Sequence, residues 1–302
     1  MVQISRILCP IDFSRTSRHA LQHAAAVATW YGAELALLTV LPSWLEPPMC
    51  LDDAADTNLR FVLNRQSAEE QLRTWLEPAR HAGVRTDVVV DAGRPAARIV
   101  EQAKSRRADL LVMGTHGLSG VERFLLGSVT EKVVRQVECP VMTVPPSSSP
   151  TAAIPYTRVL CPVDFSESSL AALQFAFSIA KESDAAVTVA HVCEWPPDDE
   201  RAVGWFDQPN YRELAEEDAR GRLEALVPED VQTWAKPSTV VTHGKPYREI
   251  LRLAERDAVD LIVIGVRGRN PFDLAIFGST TNQVVRHARC PVVTLRHQAS
   301  PA

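Results

Sequence analysis

The 302-residue sequence contains no apolar run approaching the roughly 20 residues that a membrane span requires. No basic segment followed by a long apolar one opens it either: Met1 to Cys9 leads directly into a strand pattern, so no secretory leader is expected and the cytoplasm is the expected location. There is no Cys-x-x-Cys, and tetrahedral metal-ligand spacing is missing. His19 and His23 have helical i, i+4 spacing but no adjacent glutamate, and the matching positions of the second half are Ala171 and Phe175, so no metal is expected. A basic stripe is absent as well. Residues 1–150 carry 16 basic and 16 acidic side chains and residues 151–302 carry 16 and 21, so the whole net charge of −5 belongs to the second half. Such a chain is poorly suited to neutralising nucleic-acid phosphates, and neither DNA nor RNA is an expected partner. Two nucleotide signatures are missing too, the P-loop Gly-x4-Gly-Lys-[Ser/Thr] and the dinucleotide pattern Gly-x-Gly-x2-Gly.

What the chain does have, it has twice. Gly114-x2-Gly117-x9-Gly127-Ser128 returns 151 residues later as Gly265-x2-Gly268-x9-Gly278-Ser279. Arg6 to Ser14 (RILCPIDFS) returns as Arg158 to Ser166 (RVLCPVDFS), and Cys139-Pro140-Val141 as Cys290-Pro291-Val292. The sequence therefore reads as a duplicated domain, 1–145 and 156–297, joined by a linker, 146–155, that opens Pro146-Ser147-Ser148-Ser149-Pro150. Each copy is long enough to bury its own core. The cysteines read as reduced thiols, four of them repeated in buried strand positions and Cys50 and Cys193 standing alone after the second strand of each half.

Periodicity within the first half gives strands at 4–11, 33–40, 85–91, 110–113 and 141–144, with helices at 58–82, 95–106 and 127–137 and another starting at Ser14, whose hydroxyl is placed to cap it. The second half repeats the alternation, with strands near 158–163, 186–192, 238–242, 261–264 and 292–295. Strands alternating with crossover helices require a parallel sheet covered on both faces, and runs such as Leu110-Leu111-Val112-Met113 suit that burial. Segments 42–57 and 194–209 are irregular and differ between the halves, as surface loops would.

In an open parallel sheet, ligands collect beyond the carboxyl ends of the strands where strand order reverses. Asp12 and Asp164 end the first strands, and the glycine loops follow the fourth. If these strands are neighbours, each carboxylate faces a glycine loop across a crevice: the carboxylate accepts hydrogen bonds from a ribose, and backbone N–H groups approach phosphate with no Cβ in the way. Gly127-Ser128 and Gly278-Ser279 stand at helix starts, where free N–H groups and the helix dipole favour an anion. A plainer reading makes each glycine a turn and each Asp-x-Ser a cap. Recurrence of the whole set across copies whose intervening residues differ favours the phosphate reading.

The early aspartate with Gly-x2-Gly-x9-Gly-[Ser/Thr], present twice, resembles the universal stress protein family in its tandem form, and the likeness covers nearly the whole chain. The resemblance implies an α/β fold of two Rossmann-like, adenine nucleotide alpha hydrolase-like domains, each a five-stranded parallel sheet of order 3-2-1-4-5. In the nucleotide-binding branch it also implies ATP, with Mg2+, in each domain. By that resemblance Asp12 and Asp164 hold the ribose and backbone at Val40 and Val192 meets the adenine. Gly114, Gly117, Gly127 and Ser128, with Gly265, Gly268, Gly278 and Ser279, hold the phosphates, helped by the amides of Val129 and Thr280. It further implies pairing through the last strands, hence an internal pseudo-dimer of the halves and a possible homodimer. The second loop departs from the pattern at Pro271 and Asp273; Asp273 brings a negative charge that Arg267 and Arg269 offset.

The expected function is an ATP-binding stress-response regulator whose nucleotide alters the surface offered to an unidentified protein partner. Two alternatives stand beside it. One is a slow ATPase or nucleotidyl-handling enzyme using Thr115 and His116, for which the second copy has Val266 and Arg267; the other is a nucleotide-free scaffold recognising partners through acidic loops near Asp52 and Asp198.

Overall fold

The computed structural model describes residues 3–42, 54–116, 126–148, 156–194, 211–229, 231, 237–266 and 278–296. They divide into two compact units, separated between Ile154 and Pro155.

The first unit alternates β1 (Arg6–Pro10), α1 (Arg15–Tyr31), β2 (Glu34–Leu41), α2 (Ala54–His81), β3 (Thr86–Ala92), α3 (Pro95–Ser105), β4 (Leu110–Gly114), α4 (Ser128–Gln136) and β5 (Val141–Val144). Its strands are all parallel, in the order β3-β2-β1-β4-β5. Parallel strands covered by helices on both faces must be apolar throughout, and Leu8, Leu35, Leu37, Leu38, Leu110 and Leu111 are accordingly buried to 1% exposure or less.

The second unit repeats the plan with β6 (Arg158–Pro162), α5 (Glu167–Ser183), β7 (Ala186–Cys193), α6 (Tyr211–Ala225), β8 (Ser238–His243), α7 (Pro246–Arg256), β9 (Leu261–Gly265), α8 (Ser279–His287) and β10 (Val292–Leu295), ordered β8-β7-β6-β9-β10.

Local chemistry sets the helix ends. Ser14 and Ser166 cap α1 and α5, their side chains accepting from the amides of Ser17 and Ser169. α1 ends on Gly32 and α5 on Asp184, both in the left-handed region at φ 63° and 53°. Pro95 and Pro246 open α3 and α7, where a missing N–H costs nothing. At the amino edges of the sheets, Asp109 accepts from the amides of Ser5 and Arg6 (3.0 and 2.9 Å) and Asp260 from those of Thr157 and Arg158 (2.8 and 3.0 Å). Each pins the start of a first strand to a fourth.

Two sequence expectations shift. α2 begins at Ala54, four residues before the expected start. Cys139 and Cys290 fall in the turns just ahead of β5 and β10, where Leu111 and Ile262 donate to Pro140 O and Pro291 O, and Cys193 is the last residue of β7. The four repeated thiols are free, Cys139 half-buried and the others buried. Cys50, most of both irregular segments, the second half of the linker, Gly117 and Gly268 lie outside the described residues. No described helix is long and apolar enough to cross a membrane.

Candidate functional site

Strand register brings the predicted residues into one row. β1 pairs Arg6 with Glu34 and Pro10 with Leu38, and it pairs Ile7 with Leu110. Counting on in register sets Asp12 level with Val40 on one side and Thr115 on the other, at the carboxyl edge where strand order reverses. In the second unit the same count from Arg158↔Ala186 and Val159↔Leu261 sets Asp164 level with Val192 and Val266.

Alternation along a parallel strand decides where the Val40 backbone points. Leu38 O accepts from Ile11 N (2.7 Å), on the β1 side, and Leu41 O accepts from Gly93 N (2.9 Å), on the β3 side. Val40 shares the parity of Leu38, so its N–H and C=O face the β1 side, past the last β1–β2 pair. Val192 is placed alike, since Ala190 O accepts from Val163 N (2.8 Å) and Cys193 O from Gly244 N (3.1 Å). Each valine thus offers a donor and an acceptor to the crevice beside the aspartate.

Asp12 uses Oδ1 to accept from the Ser14 amide at 3.0 Å, and Asp164 Oδ1 accepts from both the Ser166 amide (3.0 Å) and its hydroxyl (2.5 Å). The turn-supporting role is therefore realised by one carboxylate oxygen of each. Between aspartate and cap, Phe13 and Phe165 take φ of 62° and 64°, a left-handed conformation costly for an aromatic residue. Each lies inside its Asp-x-Ser turn, and both rings are packed. The Phe13 ring meets Trp75 at 5.4 Å, with the Arg18 guanidinium 4.9 Å over that indole; Phe165 lies 4.8 Å from His191 and beneath Arg222 at 3.8 Å.

Beyond β4 the chain folds back on itself. Thr115 N donates to Val144 O (3.2 Å), Gly127 N donates to Thr115 O (2.8 Å), and the Thr130 hydroxyl donates to Gly114 O (2.9 Å). Together these dock the amino end of α4 against the end of β4. Val266, Gly278 and Thr281 make the corresponding three bonds, to Leu295 O, Val266 O and Gly265 O, at 2.8, 3.1 and 2.8 Å. The two glycine caps, Gly127 and Gly278, lend no side chain to α4 or α8, so the first-turn amides at Ser128 and Val129, and at Ser279 and Thr280, have no side-chain cap.

These residues fit an anionic group. An uncapped helix start offers aligned N–H donors and the positive end of the dipole. Beside it, His116 Nδ1 lies 2.8 Å from the Thr115 hydroxyl, while its Nε2 is buried with no hydrogen-bond partner among the described residues. Burial lowers the His116 pKa below its ordinary value, so the imidazole is neutral at pH 7. No group of metal-ligating side chains occurs among the described residues.

A sequence model of the universal stress protein family matches residues 3–145 and again 155–296. The chain belongs to the universal stress protein family. A universal stress protein of Methanocaldococcus jannaschii is 36% identical over 139 residues, 46% of this chain and 81% of its own length. A putative universal stress protein of Staphylococcus epidermidis is 33% identical over 165 residues, 52% of this chain and 97% of its own. Among solved structures, a universal stress protein from Archaeoglobus fulgidus covers 97% of this chain and 99% of its own at 23% identity with a TM-score of 0.68, a likeness of fold.

In this universal stress protein the two crevices differ. The first has Thr39 and Thr115, both buried, where the second has His191 and Val266. His191 Nδ1 donates to Val163 O at 2.7 Å, which places an imidazole between β7 and the turn after β6. Reading the sequence missed this ring, the left-handed phenylalanines and the threonine ties. The last had a visible signal, because Thr130 and Thr281 recur at the same distance behind each Gly-Ser.

Proposed function

We propose that this universal stress protein binds ATP with Mg2+, one nucleotide per unit, and acts as a cytoplasmic stress-response regulator by changing the surface it offers to a protein partner. The observation that carries the reading is the shared row of Asp12, the Val40 backbone and Thr115 beside the uncapped start of α4, repeated as Asp164, Val192 and Val266 beside α8. In this reading the carboxylates of Asp12 and Asp164 hold the ribose. The valine backbones take the adenine edge. Amides of Ser128 and Val129, and of Ser279 and Thr280, hold phosphate oxygens with the glycines of each loop, Gly114, Gly117 and Gly127 and their counterparts Gly265, Gly268 and Gly278. Neutral His116 donates from Nε2 to the same anion. Mg2+, when bound with the nucleotide, would supply neutralisation of the phosphate charge.

Calorimetric titration of nucleotide-stripped protein with ATP and Mg2+ tests this. Two ATP per chain is the expected result, reduced to one by Asp12→Ala. A single site in the unsubstituted protein would confine the reading to one unit, and no heat with no competition by ATP for any bound nucleotide would end it.

A further inference from the structure

The imidazoles of His19 and His23, one turn apart on α1, converge on one oxygen outside the nucleotide crevice. His19 Nε2 lies 2.6 Å and His23 Nε2 3.3 Å from Ser148 Oγ, which in turn donates to Pro145 O at 3.0 Å. The Ser148 amide also donates to Pro145 O, at 3.1 Å. Both Ser148 and His23 are buried, at 6% and 3% exposure. Ser148 belongs to the segment that leaves β5 towards the second unit, so this cluster holds the root of that segment against α1. The second unit has nothing comparable, since Ala171 and Phe175 occupy the histidine positions on α5. We propose that His19, His23 and Ser148 form an acid-released clasp on the segment leaving β5.

Hydrogen-bond bookkeeping gives the direction. The Ser148 oxygen spends its proton on Pro145 O and accepts two N–H donors, so both neutral rings carry their proton on Nε2. One added proton is tolerated: charged His19 keeps its Nε2–H and offers Nδ1–H to Gln22 Oε1, 3.3 Å away. A second proton places two cations on rings whose centroids are 5.1 Å apart, one of them buried. Among the described residues, the elements packed against α1 bring few charges. On α1, Arg15 and Arg18 lie within a turn of His19. β4 and β5, packed against α1, carry no ionisable side chain, whereas β1 and β2 bring the buried Cys9 and, at their first residues, Arg6 and Glu34. The clasp is therefore closed with no or one charged ring and opens on acidification, when both are charged.

Amide hydrogen exchange at Ser148 in the intact chain, expressed as a protection factor so that intrinsic pH effects cancel, reads the clasp directly. Protection is expected to fall about tenfold or more between pH 8 and pH 5, while the two rings titrate by NMR in separate steps. The double variant His19→Ala/His23→Phe copies the residues that α5 already tolerates. Its Ser148 protection should not change with pH. Equal falls in the variant and the unsubstituted protein, constant protection in the latter, or two independent ring titrations would each overturn the proposal.

Discussion

Gly114 and Gly265 end the fourth strands of the two units, and their lack of a side chain serves the protein's own packing. A Cβ on Gly114 would stand 2.7 Å from Thr16 Cγ2 and 3.2 Å from the Thr16 backbone; on Gly265 it would stand 2.7 Å from the Ser168 carbonyl carbon and 2.8 Å from the Ser169 amide. The first clash is mostly with a methyl group, the second with backbone that cannot give way. Gly265→Ala is therefore expected to cost about 3 kcal/mol and Gly114→Ala about 1.5 kcal/mol, with Thr16→Ser recovering part of the smaller loss. Urea unfolding of the three variants checks the order; equal costs would contradict it. The repeated spacing singled these glycines out in the sequence, but not this reason for them. Thr16 lies 98 positions before Gly114, and only the pairing of α1 with β4 brings the two together. Asp12 was legible more completely, because Asp-x-Ser ahead of a helix signals a capping turn locally, and that turn is present.

Helix ends were the most readable part of the elements. Ser14 and Ser166 cap as their position predicts, and Pro95 and Pro246 open their helices, because capping depends on residues within one turn. The left-handed φ of Phe13 and Phe165 was not read from the sequence, although each lies inside its Asp-x-Ser turn; their rings pack on Trp75 of α2 in one unit and on Arg222 of α6 and His191 of β7 in the other. The far ends of the first helices differ in a way that yields a prediction. α1 stops on Gly32, which adopts φ 63° without strain, whereas α5 stops on Asp184 at φ 53°. A left-handed conformation costs an L-residue roughly 1 kcal/mol, offset in part by the greater freedom glycine has when unfolded. Asp184→Gly should therefore stabilise by about 0.5 kcal/mol, seen as a higher urea midpoint at an unchanged slope, and Gly32→Asp should destabilise by a similar amount. A lower midpoint for Asp184→Gly would show that Asp184 makes contacts outweighing its backbone strain.

Across the whole chain, the repeated βα alternation with apolar fourth strands made a parallel sheet in each unit legible from sequence, whereas its order, 3-2-1-4-5, came only from the family resemblance and is the order observed. The row joining Asp12, Val40 and Thr115 was not accessible, because it depends on register between strands 28 and 103 positions apart, counted from Arg6↔Glu34 and Ile7↔Leu110. The same burial that makes the strands legible also sets how the molecule responds to alkali. Cys9 and Cys161 are fully buried at matching places in β1 and β6, and desolvation pushes both thiols far above their ordinary range; Cys290 is pushed up to about 12 for the same leading reason. Below the unfolded thiol pKa of about 8.5, both folded and unfolded chains keep these protons and stability is unaffected. Above it only the unfolded chain ionises, so stability falls by about 1.4 kcal/mol per thiol per pH unit until the folded pKa is reached. For Cys9 and Cys161 together the loss between pH 8 and pH 10 is about 4 kcal/mol. Urea unfolding in reducing buffer at both pH values should show that loss, and the Cys9→Ala/Cys161→Ala variant, less stable at pH 8 through its two small cavities, should lose correspondingly less on going to pH 10. The same pH dependence in the variant would mean that these thiols ionise in the folded chain, and that the first strands are open to solvent.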